Sequence, residues 1–104
     1  MVRRNIDDIR YKIRLGEYDL TIHAFEEMAE DGLDIFDFEQ SILYGHISRV
    51  ETDDPRGTKY VIRGPAIDEW VFVGSVGRFA NDRYLVITIY VIEFDDNDYV
   101  RLQM

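Results

Sequence analysis

Residues 83–93, RYLVITIYVIE, carry a β-branched or aromatic side chain at most positions. Such a run reads as a strand, because branched and ring side chains suit a pleated surface and lose rotamer freedom in a helix. Its apolar stretch, Tyr84 to Ile92, is far shorter than the roughly 20 residues that cross a bilayer as a helix. Alternation puts Leu85, Ile87, Ile89 and Val91 on one side, which is assigned to packing against helices, and Tyr84, Val86, Thr88 and Tyr90 on the other. The second side is also apolar or aromatic. Just upstream, Trp70 and Phe72 alternate with Val71 and Val73 in the same way. A sheet with one wet face alternates more cleanly. The second face therefore calls for a cover, either the C-terminal EFDDNDYVRLQM folding back or a partner, a second copy of the chain included.

Working back from this strand, HISRVE (46–51), TKYVIRG (58–64) and EWVFVGSV (69–76) share its period of two, and DDPRG, PAID and GRFAND separate the runs. That is the spacing of a four-stranded antiparallel meander. Before His46 the period is helical. Asn5 with Asp8 starts a first helix, with Ile6, Ile9 and Ile13 on one side and Gly16 as its stop. After a short extended YDLTI, Thr21 caps a second helix with Ala24, Phe25, Met28 and Ala29 as its apolar stripe and Gly32 as its end. Asp34 opens a third, with Ile35, Phe38, Ile42 and Leu43, and Gly45 stops it in the C′ position. The expected fold is α+β, with N-terminal helices on one face of the sheet. One domain spans 1–104, with an N-terminal helix at 5–15 and a C-terminal tail at 94–104.

The chain has 104 residues, 46% hydrophobic and 13% aromatic, which suits one modest core. It has no cysteine, which excludes disulfides and thiolate metal sites, and its two histidines are too far apart in sequence to form a ligand pair by spacing. No cofactor is expected. The charged N-terminus lacks a long apolar core, so a soluble, cytoplasmic protein without a targeting segment is expected. The net charge is −9. Between Leu15 and Ser48 stand nine acids and no Lys or Arg, leaving 12 acids against 12 basic residues elsewhere. Arg49, Arg56, Lys59 and Arg63 cluster where that acidic block ends. The molecule is thus two-sided: the acids form the solvated faces of two helices, and nucleic acid is repelled except near the basic cluster.

The order His23-Ala24, Met28, Gly32-Leu33, an acid-rich helix, Gly45, DDPRG, a Lys59-Tyr60 strand, an apolar strand and ITIY at 87–90 resembles domain-of-unknown-function family 4258 over roughly residues 20–93. That family looks related to the RelE-like toxin fold, which includes the BrnT and MqsR toxins of bacterial toxin–antitoxin pairs. The resemblance implies a RelE-like α+β domain, metal-independent ribonuclease activity and an antitoxin partner. In the family pattern the histidine is followed by Arg four and eight residues later. Here those positions are Glu27 and Asp31. If the activity needs that basic edge, this chain is impaired or acts on something other than RNA.

Metal-free RNA cleavage needs a base for the 2′-hydroxyl proton, a cation for the phosphate and an acid for the leaving oxygen. His23 is the candidate base, since imidazoles exchange protons near neutral pH. Lys59 and Arg63 share one face of a strand and supply the cation, with Tyr90 to orient or protonate. Arg49, Arg56 and Tyr60 are candidate substrate contacts. Each has a bland counterpart. His23 fixes a helix start, DPRG is a hairpin turn in which Pro55 presets one angle and Gly57 takes a positive one, and Lys59 and Arg63 guard a strand edge. His46, beside a helix-ending glycine, is read as structural or solvated. Two classes of function follow. One is a RelE-like toxin, with an antitoxin or a homodimer mate covering the aromatic face of Trp70, Phe72 and Tyr84. The other is a non-catalytic interaction or dimerisation module on the same fold.

Overall fold

A computed structural model describes residues 4–93. The tail expected as a cover from Phe94 onward lies outside the described residues. The elements run α1 (Ile6–Leu15), β1 (Tyr18–Leu20), α2 (Ile22–Glu30), α3 (Ile35–Leu43), β2 (His46–Glu51), β3 (Lys59–Pro65), β4 (Phe72–Ala80) and β5 (Arg83–Ile92). No helix among the described residues is long and apolar enough to cross a membrane.

The helix starts are where the capping residues put them. Asn5 with Asp8 and Asp34 with Asp37 form reciprocal capping boxes, and the Thr21 hydroxyl accepts from the Ala24 amide. Gly32, at φ 74°, closes α2: its amide donates to the Ala29 carbonyl and that of Leu33 to Met28, the double bond of a Schellman ending. Gly45 acts differently from the C′ stop expected of it. It is absent from the positive-φ residues, and the end of α3 is instead closed by α1, where Arg10 donates to the carbonyls of Ile42 at 3.1 Å and Gly45 at 2.8 Å. A cation at a helix C-terminus also suits the helix dipole. Gly45 is needed for contact. A Cβ there or at Gly64 would collide with the Ser41 carbonyl, so the two glycines let α3 press directly on β3.

The sheet differs from the expected four-stranded antiparallel meander. It has five strands, in the order β1-β5-β4-β3-β2, and it is mixed because β1 runs parallel to β5. The extended YDLTI contributes that fifth strand. Three residues are too few to show a period, and β1 is held by its neighbour: the Tyr84 amide donates to the Glu17 carbonyl, and Arg83 grips Asp19 at 2.7 and 3.1 Å. The expected GRFAND turn is also tighter. Gly77 to Ala80 continue β4, and Asn81 and Asp82, both at positive φ, make a two-residue turn of the type that hairpin twist favours.

The faces of β5 are exchanged over half its length. Tyr84, Val86 and Ile89, all at 0% exposure, belong to the core with Ile9, Ile13, Ala24, Met28, Phe38, Ile42, Tyr60, Ile62 and Val73. Their spacing of two and then three marks a bulge: Gly77 pairs with Val86 and Val76 with Thr88, leaving Ile87 unopposed. One extra residue flips every side chain beyond it. Before the bulge the inner set is therefore Tyr84 and Val86 rather than Leu85 and Ile87, and after it Ile89 faces inward as expected. In α2 only Ala24 and Met28 are buried, so Phe25 and Ala29, expected in the core, face solvent.

Candidate functional site

Alternation along β3 sends Tyr60 and Ile62 into the helix-packed core and Lys59, Val61, Arg63 and Pro65 to the outer face. Tyr60, a candidate substrate contact, is 2% exposed, and its hydroxyl accepts from the Arg4 amide at 3.1 Å. It stacks edge-on against Phe79, which meets Tyr84 in the same way. Burial raises the Tyr84 phenol well above the ordinary tyrosine range, and its hydroxyl finds no hydrogen-bond partner among the described residues.

The two cations of β3 have different surroundings. Lys59 faces Asp54 at 3.6 Å and Glu51 at 3.9 Å. Arg56 is also committed to Asp54, whose carboxylate accepts from its guanidinium at 3.1 and 3.2 Å and from its amide at 2.9 Å. These bonds hold the Asp54 carboxyl well below the usual carboxylate range. The DPRG segment is a turn closed by the Gly57 amide on the Asp54 carbonyl, as its composition suggested. Arg49 pairs with Glu51 at 3.4 Å. Among the clustered cations, Arg63 alone makes no ion pair with a described residue.

Arg63 has other neighbours. Strand register lines up His46 on β2, Arg63 on β3, Gly74 on β4 and Tyr90 on β5 in one row across the sheet. Directly opposed residues share a face and lie about 5 Å apart, so imidazole, guanidinium and phenol stand side by side on the outer surface. Gly74 makes this row continuous. The Tyr90 ring and hydroxyl occupy the space a Gly74 side chain would take, which lays the phenol across β4 toward Arg63. A glycine inside a strand signals such a close approach. Two residues along, Pro65, Phe72 and Ile92 form the next row. Beside the two rows opens a cavity of about 350 Å³, walled by these three residues, Tyr44, His46 and Arg63.

His23 lies elsewhere. Its side chain is 69% exposed and its Nε2 is 3.1 Å from Glu27, whose carboxylate also accepts from the Thr88 hydroxyl. Asp31 accepts from the Val91 amide at 2.9 Å, while the Thr21 amide and hydroxyl donate to the carbonyls of Val86 and Ile87. Glu27 and Asp31 thus clip α2 to the edge of β5 beyond the end of β1, covering backbone groups that would otherwise template pairing. His23 stands at that edge, two strands from β3. Arg63 and Tyr90 share one row with Gly74 between them, Lys59 lies about 13 Å along the strand from Arg63, and His23 is joined to neither of these cations. His46 and Gly74, which complete the row, were not singled out as site residues.

The expected aromatic partner face is divided. Tyr84 is in the core, Phe72 lines the cavity, and Trp70, in the loop between β3 and β4, is 90% exposed. Among the described residues no group of three or more His, Cys, Asp or Glu could hold a metal ion.

The chain matches the family model described as Domain of unknown function (DUF4258) over residues 20–91, and it belongs to that family. No curated protein and no solved structure matched it. The match includes α2, α3 and every residue of the His46–Arg63–Gly74–Tyr90 row.

Proposed function

We propose that the outer face of the sheet binds and cleaves RNA without a metal, and that the protein is the toxin-type member of a bacterial toxin–antitoxin pair related to RelE-like toxins. The observation that carries this reading is the row itself: a guanidinium with no carboxylate partner among the described residues, flanked by an imidazole and a phenol. Its parts match the needs of the reaction. The 2′-hydroxyl attacks the neighbouring phosphorus while the His46 imidazole takes its proton, and Arg63 stabilises charge on the non-bridging oxygens. Tyr90 gives its proton to the departing 5′-oxygen, so the products are a 2′,3′-cyclic phosphate and a free 5′-hydroxyl. His46 is favoured over His23 as the base because it shares a row with Arg63. Glu27 and Asp31 do not count against this reading, since they serve the edge of β5 rather than the row. The net charge of −9 makes general RNA affinity weak and places the burden on local contacts.

A second reading has its own observation. Ile22 and Phe25 are 79% and 58% exposed on α2, beside Glu26 in the acidic block, which is the surface of a non-catalytic interaction module.

The test is to express the wild type alone in bacteria beside Arg63→Ala, His46→Ala and Lys59→Ala at matched soluble levels, following growth, protein synthesis and new 5′-hydroxyl RNA ends. The expected result is arrest with such ends in the wild type and Lys59→Ala, relieved by Arg63→Ala and His46→Ala. Soluble, abundant wild type with normal growth and intact RNA would overturn the toxin reading in favour of the module.

A further inference from the structure

The two edges of the sheet are finished differently. At one, β1 is only three residues long, and Thr21 and Asp31 hydrogen-bond the β5 backbone beyond it. At the other, the six residues of β2 have a neighbouring strand, β3, on one side only. Among the described residues no hydrogen bond reaches the β2 backbone from any other element. Alternate residues of such a strand turn their amides and carbonyls outward, a template for another strand. β2 carries neither Pro nor Lys, two of the residues that guard an edge. Its one irregularity is the bulge between Ile47 and Arg49, which leaves Arg49 to Glu51 as the regular stretch.

We infer that β2 pairs antiparallel with β2 of a second copy of this chain, about a two-fold axis beside Val50, so that the two five-stranded sheets become one. The charges select both the occupant and the register. Arg49 and Glu51 share the outer face, opposite Val61 and Lys59 of β3, while Val50, opposite Tyr60, packs against the core on the inner one. A two-fold pairing centred on Arg49 would set Arg49 against Arg49, and one centred on Glu51 would set Glu51 against Glu51; like charges directly opposed repel. A centre at Ser48 falls on the bulge. Centred on Val50, Arg49 stands opposite Glu51 of the second copy and Glu51 opposite its Arg49, and the two Val50 side chains meet on the inner face. The Arg49 side chain is 67% exposed and 3.4 Å from its own Glu51, so its guanidinium is placed to serve carboxylates on both strands. A partner strand with only acids or only bases would answer one of the two residues and oppose the other. A two-fold axis normal to the sheet keeps both outer faces on one side, so the dimer presents two Arg63 rows on a single surface. The pairing goes beyond the proposed function and does not depend on what those rows bind.

The full chain is followed by sedimentation equilibrium over about a hundredfold range of concentration, because mass action governs the dimer. One pair of strands is a small interface, so a reversible dimer is expected rather than a permanent one. Arg49→Glu and Glu51→Arg each turn two attractive pairs into two repulsive ones, and each is expected to weaken dimerisation roughly 10- to 100-fold. Asp54 still holds Lys59 when Glu51 is replaced. An equimolar mixture of the two variants restores both attractive pairs across the axis, as does the double variant Arg49→Glu/Glu51→Arg, and both samples are expected to dimerise as the wild type does. Rescue by mixing also separates lost pairing from lost folding, since a misfolded chain gains nothing from a second variant. A wild type that stays monomeric throughout the range, a dimer that neither single variant weakens, or single variants that the mixture fails to rescue would overturn the pairing.

Discussion

Lys59 and Arg63 sit on one strand and one face, four residues apart, yet among the described residues carboxylates pair with the cation at one end of β3 and not with the cation at the other. At the Lys59 end, Asp54 and Glu51 take up Lys59, Arg56 and Arg49. At the Arg63 end the neighbours are His46, Gly74, Tyr90 and an apolar cavity. Charge type and spacing are the same at both ends. What differs is the partner that each hairpin and each register brings: among the described residues carboxylates answer Lys59 and none answers Arg63.

The largest effect is expected where the Arg63 end is anchored. Gly64→Ala drives a Cβ into the Ser41 backbone carbonyl and the Gly45 α-carbon, neither of which has a flexible side chain to yield. A loss of about 3 kcal/mol or more in denaturant unfolding is expected. Gly57→Ala, at the Lys59 end, meets nothing within 4 Å and suffers only from its φ of 132°, so its loss should be about 1–2 kcal/mol. Equal losses would show that the close approach of α3 does not hold the Arg63 end.

Beneath the Lys59 end, on the inner face, lies the Tyr60–Phe79–Tyr84 stack. Burial raises the folded-state pKa of Tyr84 above the ordinary tyrosine value of 10.0. Below pH 10 both folded and unfolded states keep this proton. Above it the unfolded chain loses the proton first, so stability falls as pH rises toward the raised folded value. Tyr84→Phe removes an unsatisfied buried hydroxyl. It is expected to be neutral or stabilising by about 1 kcal/mol at pH 7, with a flatter stability profile above pH 10 in thermal melts. Tyr18, also raised by burial and by its hydrogen bond to Glu39, retains part of the slope.

A smaller change is expected at the Lys59 end. Asp54→Asn releases Arg56 and leaves Lys59 with Glu51 alone, and a gain of roughly two- to fivefold in RNA affinity at low salt is expected from the lost carboxylate charge. An unchanged affinity in a filter-binding assay would show that the carboxylate is not what silences this end.

Much of the fold was legible in the sequence, for reasons that mark where the rest was not. Asn5, Thr21 and Asp34 start helices because capping is local chemistry, and the four long strands show their period. Tyr18–Leu20 joins the sheet through Arg83 and the Tyr84 amide, residues more than 60 positions away, and no local pattern records that. The faces of β5 were misread because a bulge at Ile87 shifts the alternation without changing composition. For the site, Arg63 and Tyr90 stand out by residue type, and Gly74 within a strand was a readable sign of close approach. His46 could not be matched to Arg63 without the register across the β2–β3 connection. The carboxylates that disarm Lys59 and Arg56 were visible in the sequence, but which cation they would hold was not.

The most direct measurement is the salt dependence of single-stranded RNA binding by the wild type, Arg63→Ala and Lys59→Ala. Each phosphate contact contributes about 0.7 to the slope of log K against log salt. If the Arg63 end of β3 is where phosphate binds, Arg63→Ala lowers that slope by about one contact and Lys59→Ala leaves it as in the wild type. Equal slopes for the two variants, or a loss confined to Lys59→Ala, would contradict the distinction between the two ends.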